Sequence, residues 1–409
     1  MSELWFDRKR DRPDSPIPKG FGAVHALVIG VSSYPHLRDG TDEDQRTTND
    51  PFNLQQLGLT ATGAYSFAKW LRGEFEAPAA KLSTIRVLLS PTAGELGNNK
   101  DMQADVTSGR IRQALFADVR DEAEQWAKSF GQLPSYRDMS IFYAAGHGVQ
   151  DLDRVSRVLL EDYSATEAFM ENAIDVKELC LAMENVDASS QFYFIDACRP
   201  SSDATLNGYS SPHMASRPLL IRKKSSRSHR KPRGAIFSST ASEELAYEAN
   251  KGGTCFSIGL LECLGRYGAE FQNNKWVVTI ASLSRALQER VGLQAQNVGH
   301  EQFPQWYPLG VCRYGSPVHS YHTPITIPLT IQLNPPPTNL DITDAWLRTY
   351  DSRTTIVHGR LAAHPYHGSV EPGQYLFSLF LRNGKTPPSG VDDGFEVRVN
   401  EDCHRLLNW

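Results

Sequence analysis

Tyr143-Ala144-Ala145-Gly146-His147-Gly148 and Ile195-Asp196-Ala197-Cys198-Arg199 end two apolar runs of this chain, and each run is typical of a buried β-strand. Each run also ends in a reactive side chain, the His147 imidazole in the first and the Cys198 thiol in the second. The interval between them is long enough for one crossover connection between neighbouring parallel strands. The pattern therefore predicts that the imidazole and the thiol lie at one edge of a parallel sheet.

Short β-branched runs and helical periodicity extend this pattern along the chain. Strands are predicted at residues 25–31, 84–89, 139–145, 191–196 and 234–238. A helix is predicted to begin at Pro51, with Asp50 as its N-cap and Phe67, Trp70 and Leu71 as its apolar stripe. A second is predicted from Ile111 and Leu115 to Trp126, and a third is predicted to start at Asp175 with Glu178. Two more are predicted over 255–264 and 279–291. Apolar strands that alternate with helices predict an α/β fold, a mostly parallel sheet with helices on both faces. Active sites of such sheets lie outside the carboxyl ends of the strands.

The sequence changes character near Gly315. Alternating polar and apolar residues predict strands at 323–333, 354–358, 375–381 and 394–399, with Pro335-Pro336-Pro337 between the first two. These strands predict a small, antiparallel, all-β domain of the sandwich type. The predicted organisation is a polar N-terminal arm at 1–20, an α/β domain at 21–315 and an accessory β-domain at 316–409.

Composition excludes several classes of protein. The 409 residues include 42 Lys and Arg against 47 Asp and Glu, so general binding to nucleic acid or to anionic membranes is not indicated. No apolar stretch approaches the roughly 20 residues of a membrane-spanning helix, and the polar first residues do not resemble a secretory signal. The six cysteines form no CxxC pair, so neither a zinc site nor a disulfide framework is predicted. A reducing, cytoplasmic location is the expectation.

The two reactive motifs resemble those of caspase-type cysteine peptidases, a group that includes metacaspases, legumains, clostripains and gingipains. Three further stretches are similar to that group: 238–248, Gly253-Thr254-Cys255-Phe256-Ser257, and Thr47-Thr48-Asn49-Asp50, so that the resemblance covers about residues 20 to 315. It implies a caspase-like fold with Cys198 as nucleophile and His147 as general acid and base. The N–H groups of Gly148 and Cys198 would line the oxyanion hole. No third catalytic residue, cofactor or metal is implied.

The residue two positions before the nucleophile bears on which peptide bond is cut. Caspases carry Gln there and select acidic residues, whereas metacaspases carry Asp, and Asp196 stands at this position here. Asp50 matches a second metacaspase Asp, and Glu243 is a further candidate for the substrate pocket. Buried carboxylates favour a cation, so the resemblance implies cleavage after Arg or Lys. Two alternatives stay open, that Asp50 only caps a helix and that Asp196 is only a structural hydrogen-bond acceptor.

The chain departs from both subfamilies next to the nucleophile. Pro200 stands where caspases have Gly, and Arg199 stands where metacaspases have His. Calcium activation, known in many metacaspases, is possible but not indicated. The acidic residues of loop 39–44 lack the EF-hand pattern, and a solvated loop is the preferred interpretation.

A basic, serine-rich segment at 201–233 lies where caspases carry the linker between their subunits. We predict an exposed, disordered activation loop, cleaved by the enzyme itself or by an upstream protease. Its cleavage candidates are Arg222, Lys223, Lys224 and Arg227. The alternative is a solvated or anion-binding surface loop.

Three functions are compatible with these residues. The leading one is a cysteine endopeptidase made as a zymogen, with protein or peptide substrates and an upstream protease or regulatory protein as partners. Bacterial relatives act in stress, defence or regulated-death cascades, so the resemblance suggests a role such as antiviral defence. The second is a catalytically silent scaffold that binds partners through its β-domain, and the third is a thiol hydrolase of small amides.

Overall fold

The computed structural model describes residues 4–45, 54–132, 137–150, 156–165, 171–200, 217–221, 232–310, 312–334, 342–349, 355–359, 366–381, 393–397 and 403–408. The helices within these ranges are α1 (Arg8–Asp11), α2 (Thr60–Gly73), α3 (Ala93–Asn98), α4 (Lys100–Thr107), α5 (Phe116–Lys128), α6 (Val176–Met183), α7 (Cys255–Glu262) and α8 (Ile280–Gln296). The strands are β1 (Phe6–Asp7), β2 (Gly22–Val31), β3 (Ala80–Ser90), β4 (Met139–Gly146), β5 (Gly148–Gln150), β6 (Ser156–Leu159), β7 (Ala173–Asp175), β8 (Ser190–Ala197), β9 (Arg233–Ser238), β10 (Ala269–Gln272), β11 (Lys275–Thr279), β12 (Gln305–Gly310), β13 (Pro317–Ser320), β14 (Ile327–Asn334), β15 (Ile342–Thr349), β16 (Thr355–Gly359), β17 (Tyr366–Val370), β18 (Gly373–Leu381), β19 (Asp393–Val397) and β20 (Cys403–Asn408).

The central sheet has seven strands in the order β1-β3-β2-β4-β8-β9-β12. The five inner strands run parallel to one another, and the two edge strands β1 and β12 are antiparallel to their neighbours. The predicted α/β fold with a mostly parallel sheet is confirmed. β1 lies inside the predicted polar arm, where Trp5 and Phe6 are buried.

Helices cover both faces of this sheet. Phe67 of α2 stacks on Tyr143 of β4 with ring centroids 4.7 Å apart, and Trp126 of α5 packs against Phe142 at 6.0 Å. Because successive residues of a strand point to opposite faces, α2 and α5 lie on opposite sides of the sheet. All four aromatic side chains are almost completely buried, so burial of apolar surface stabilises both layers.

Two predicted helix starts need correction or lie outside the described residues. The predicted start at Asp50 and Pro51 lies outside them, and α2, which carries the predicted apolar stripe, begins at Thr60. The prediction that Ile111 and Leu115 belong to a helix is wrong, because α5 begins at Phe116. The segment before α5 is extended beside β3, where the Leu89 N–H donates to the Arg112 carbonyl at 2.9 Å.

The chain divides into two compact units, residues 1–264 with 278–320, and residues 265–277 with 321–409. In the second unit β15 pairs antiparallel with β16 and β18, which agrees with the predicted antiparallel β-region. One pairing differs from the prediction, because β14 runs parallel to β20.

Membrane-spanning helices and metal-binding groups are both absent from the described residues. None of the described helices is both long and apolar enough to cross a membrane. Within those same ranges, no group of three or more His, Cys, Asp or Glu side chains is arranged to hold a metal ion.

Candidate active site

β4 and β8 are neighbours, and their carboxyl ends carry the two reactive residues. The parallel register pairs Gly146 with Ala197, the last residues of the two strands. His147 and Cys198 are therefore the first residues after each strand. Gly148 follows and packs directly on the Cys198 backbone, since a Cβ atom at Gly148 would lie 2.2 Å from the Cys198 carbonyl oxygen. Only glycine permits this approach. The structure thus brings together His147, Gly148 and Cys198 at one edge of the sheet.

The His147 side chain is oriented by a backbone carbonyl group. Its Nε2 lies 2.6 Å from the carbonyl oxygen of Gln55, and because that oxygen only accepts hydrogen bonds, Nε2 carries the proton. In the neutral ring Nδ1 is then the proton acceptor. The Tyr34 hydroxyl accepts the backbone N–H of His147 at 2.8 Å, and the two rings pack with centroids 4.9 Å apart.

The Cys198 thiol is half-buried and contacts the loop 239–254 that follows β9. Its Sγ accepts the Ala246 N–H at 3.1 Å and lies 3.5 Å from the Ala246 carbonyl oxygen. Burial raises the pKa of Cys198, the Ala246 N–H opposes this, and the charge of Asp196 adds to it. At neutral pH the resting sulfur is therefore mainly a thiol and needs a base to become a nucleophile.

Asp196 is buried on the strand that leads to Cys198, with the side chain 2% exposed. Its Oδ2 accepts hydrogen bonds from the Tyr143 hydroxyl at 2.9 Å and the Thr254 hydroxyl at 2.5 Å. Its Oδ1 is buried and has no hydrogen-bond partner among the described residues. Burial raises the pKa of Asp196 to about 6, the two hydroxyl groups oppose this, and the charge of Glu248 adds to it. The partners of this carboxyl are neutral hydroxyls, although a buried carboxylate is normally paired with a cation.

Of the other two predicted pocket residues, the structure describes only Glu243. Glu243 is exposed, adopts a left-handed backbone conformation with φ of 69°, and donates its N–H to the Arg199 carbonyl at 3.0 Å. The acid whose charge acts on Asp196 is instead Glu248, five residues further along the same loop. Asp50 and the cleavage candidates Arg222, Lys223, Lys224 and Arg227 lie outside the described residues.

Arg199 and Pro200, the two residues after Cys198 at which the chain departs from metacaspases and caspases, both have defined contacts. Arg199 is buried, donates to the Tyr307 hydroxyl at 3.0 Å and lies over the Tyr307 ring at 5.7 Å from its centroid. Its side chain therefore points toward the edge strand β12. The Pro200 carbonyl oxygen accepts the Gln150 N–H at 3.0 Å, so the chain leaves the site alongside β5. Pro is tolerated there because its carbonyl group makes the bond and no N–H is needed.

Sequence reasoning missed three groups around the site. The Gln55 carbonyl is a backbone atom, so no residue type marks it. Tyr34 lies in a loop after β2, and nothing in the local sequence indicates that it reaches His147. Glu248 belongs to the stretch 238–248 that resembles caspase-type peptidases. Its position in that stretch, close to Thr254, was the sequence feature that could have indicated a place near the site.

Comparisons with known proteins agree with this arrangement. A protein-family model described as the caspase domain matches residues 23–313. Because this match spans more than half of the chain, the protein belongs to the caspase-domain family, a family of cysteine peptidases. Both reactive residues fall within the matched region, and so does the central sheet apart from β1 and Gly22, the first residue of β2.

Individual relatives are distant. An uncharacterized protein, y4kE, of Sinorhizobium fredii (strain NBRC 101917 / NGR234) is 28% identical over 186 residues, which is 45% of this chain and 51% of that protein. The chain thus spans about half the length of this curated relative. Among solved structures, protein GSU0716 from Geobacter sulfurreducens is 14% identical with a TM-score of 0.39 and covers 71% of this chain and 94% of its own. Caspase-1 from Spodoptera frugiperda is 13% identical with a TM-score of 0.38, covering 73% and 91%.

Proposed function

We propose that this protein is a cysteine endopeptidase that cleaves peptide bonds after Arg or Lys. The nucleophile is Cys198 and the general acid and base is His147. The observation that carries the specificity is the Asp196 carboxyl, which is buried two residues before Cys198 and has only neutral hydroxyl partners in the described part of the chain. A guanidinium or ammonium group of a substrate would supply the missing counter-charge and a donor for Oδ1.

The chemical steps follow from the orientation of His147. Its Nε2–H is held by the Gln55 carbonyl, so Nδ1 takes the proton from the Cys198 thiol as sulfur attacks the substrate carbonyl carbon. Backbone N–H groups of Gly148 and Cys198 stabilise the oxyanion. The imidazolium then protonates the leaving amine, the C–N bond breaks, and a thioester forms on Cys198. Water, deprotonated by the same imidazole, then attacks the thioester carbonyl carbon. The C–S bond breaks, the carboxylic acid product leaves, and the imidazolium returns the proton to the Cys198 sulfur.

A catalytically silent scaffold is the competing function, and one observation favours it. Burial raises the pKa of the Cys198 thiol, and the sulfur is already hydrogen-bonded to Ala246. A silent protein would keep this resting arrangement. A peptidase would shift the Ala246 loop when substrate binds.

Measuring turnover of a set of fluorogenic peptides tests the proposal. The peptides share one sequence and end in Arg, Lys, citrulline, Ala or Asp before the reporter group. We expect kcat/KM for Arg and Lys to exceed that for neutral citrulline by at least about 100-fold. Arg and Lys would pair with the buried Asp196 carboxyl, whereas citrulline would leave its charge without a counter-charge. Equal rates for Arg and citrulline would contradict the cation specificity. No turnover, also after limited cleavage of the basic segment 201–233, would support the scaffold, and activity only toward small amides the third function.

The pH dependence of turnover provides a second test. The groups that face Asp196 come from several elements, namely Tyr143 of β4, Cys198 after β8, Cys255 of α7, and Glu248 and Thr254 of the preceding loop. Burial raises the pKa of Asp196 to about 6, and only the ionised carboxylate pairs with a cation. The ratio of kcat/KM for the Arg peptide to that for the citrulline peptide should therefore fall about tenfold per pH unit below pH 6.

This ratio removes the ionisations of His147 and Cys198, because they affect both substrates equally. It is measured from pH 4.5 to 8 in buffers of about constant ionic strength, since screening weakens charge pairing. A ratio that stays constant across this range would argue against pairing with Asp196.

The basic segment fits the proposed specificity. An enzyme that cuts after Arg or Lys finds targets at Arg222, Lys223, Lys224 and Arg227, all of which precede β9. Cleavage there would leave His147 and Cys198 on one fragment and the loop 239–254 on the other. Synthesis as a zymogen that is activated within a regulatory or defence cascade is therefore part of the proposal.

A further inference from the structure

The start of helix α2 is capped by residues that are distant in sequence. Its N-cap residue Leu59 has no side-chain acceptor, so the first N–H groups of the helix need other partners. Ser32 accepts the Ala61 N–H and Glu95 accepts the Thr62 N–H. Glu248 Oε1 accepts the Gly58 and Leu59 N–H groups, both at 2.8 Å.

Glu248 accepts several donors from the segment before α2 and from its first residue. The same oxygen also accepts the Thr60 hydroxyl at 3.2 Å, so one carboxylate oxygen receives three donors. A negative charge at a helix N-terminus is favourable because it faces the positive end of the helix dipole. Gly58 approaches the other carboxylate oxygen, because a Cβ atom at that position would lie 3.0 Å from Oε2. The segment before α2 therefore packs closely against this side chain.

The loop that supplies Glu248 also contacts the nucleophile and the substrate pocket. Ala246, two residues earlier, donates to the Cys198 sulfur. The Glu248 backbone forms a bridge with Thr254, whose hydroxyl donates to Asp196. Three parts of the candidate site thus meet in one loop.

The segment that Glu248 contacts carries the carbonyl group that orients His147. Gln55 lies three residues before Gly58, and its carbonyl oxygen accepts the His147 Nε2–H. On the other side the segment is anchored to the loop after β2, where the Leu57 N–H donates to the Ser32 carbonyl and the Gln56 side chain bonds the Tyr34 backbone. Glu248 joins this segment to loop 239–254.

We propose that Glu248 is a positioning residue: it links the loop that contacts Cys198 and Asp196 to the segment whose Gln55 carbonyl orients the His147 imidazole. The proposal rests on Cys198 and His147 acting together as proposed above. A shift of the loop on substrate binding, or its release by cleavage of segment 201–233, would then act on the nucleophile and on the base together. The predicted consequence is that the position of loop 239–254 controls the orientation of the His147 imidazole.

The test compares Glu248→Ala and Glu248→Gln with the matched variants Glu95→Ala and Glu95→Gln. Glu95 caps the same helix with the same type of side chain, and its described bonds go to Thr62, Thr92 and the Ser32 side chain, none of which belongs to loop 239–254. We expect Glu248→Ala to lower kcat for the Arg peptide by about 100-fold, the effect of a small displacement of a catalytic group. Glu248→Gln keeps a neutral acceptor and should lose no more than about tenfold. The Glu95 variants should lower thermal stability and leave kcat within about threefold.

A second readout does not depend on peptidase activity. The rate at which iodoacetamide alkylates Cys198, followed by mass spectrometry, reports how well the imidazole assists thiolate formation. We expect this rate to fall about tenfold in Glu248→Ala and to stay unchanged in Glu95→Ala. Amide hydrogen exchange of the peptide that contains Gly58 and Leu59 checks that the contact has been lost.

The outcomes separate this proposal from the proposed specificity. If the parent protein does not cleave the Arg peptide but its alkylation rate depends on Glu248, the positioning role stands and the specificity is wrong. If the parent cleaves the Arg peptide and Glu248→Ala changes only KM, Glu248 acts as a pocket charge and the positioning role is wrong. Equal alkylation rates in the parent and Glu248→Ala would also overturn it.

Discussion

Replacing Cys198 by Ala should abolish peptide turnover, with kcat below about one ten-thousandth of the parent value. The variant cannot form the thioester, and Cys180, Cys255 and Cys263 cannot take the place of Cys198 because they are buried. The fold should survive, because the lost Sγ contacts are hydrogen bonds to Ala246, worth about 1 kcal/mol. Initial rates with the Arg peptide and thermal unfolding of both proteins measure the two effects.

The matched control is Cys312→Ala. Cys312 is partly exposed and follows β12, whose last residue pairs with Arg233 at the beginning of β9, so it lies at the opposite edge of the sheet from Cys198 and is no candidate nucleophile. This variant should keep the parent rate within about twofold, as most surface substitutions leave the fold unchanged. Residual turnover of Cys198→Ala near the parent rate would show that the reaction does not use this thiol, and the proposed mechanism would be wrong.

Replacing Asp196 by Asn should remove the preference for Arg and Lys. Asn has nearly the same shape, and its carbonyl oxygen still accepts the Tyr143 and Thr254 hydroxyls. It carries no charge, however, and offers N–H donors toward a cation that is itself a donor. Loss of a buried charge pair costs about 2–5 kcal/mol, so kcat/KM for the Arg peptide should fall by roughly 30-fold to several thousand-fold. The rate with citrulline should change far less.

Asp138→Asn is the control for general effects of a buried acid. Asp138 is also buried with a raised pKa, caused by burial, and it accepts the N–H groups of Ala23 and Gly131. Asp138 lies at the beginning of β4, whereas Asp196 lies at the end of β8. Asp138→Asn should therefore lower the stability of the protein and leave its preference for Arg unchanged. If Asp196→Asn keeps the Arg preference of the parent, Asp196 is only a structural hydrogen-bond acceptor, the alternative that the sequence left open.

Asp196→Asn should also change how stability depends on pH. The pKa of Asp196 is raised from 3.8 to about 6, so the folded state holds a proton that the unfolded state releases between these values. Stability from this group is fully present below pH about 4 and is lost as pH rises through 6, at a cost of about 3 kcal/mol at most. The variant escapes this cost. Its melting temperature relative to the parent should therefore be higher at pH 7.5 than at pH 4.5, although its activity is lower.

Much of the scaffold followed from residue patterns because parallel strands obey simple rules. Apolar runs predicted β2, β3, β4, β8 and β9, and each belongs to the central sheet. The start of α2 was beyond such rules. Its caps come from Ser32, Glu95 and Glu248, and no local N-cap side chain marks Thr60 as its first residue.

The pocket acids show the same limit. Asp196 was a pocket candidate because it stands two residues before Cys198, where metacaspases carry Asp. The sequence pointed to Glu243 as a further candidate and did not indicate Glu248. Its left-handed backbone turns the loop, and Glu248 is the acid that acts on Asp196.

Residue order along the chain was sufficient to predict that His147 and Cys198 end neighbouring strands, because the carboxyl ends of parallel strands meet at one edge of the sheet. The orientation of the imidazole was decided only by the folded chain. It depends on the Gln55 carbonyl, which accepts the Nε2–H, and on the Tyr34 ring that packs against the imidazole, and both come from the loop between β2 and α2. The Glu248 carboxylate, on the loop after β9, contacts the segment that carries Gln55. A backbone carbonyl has no residue identity, and contacts between segments that are 190 residues apart arise only when the sheet brings their ends together.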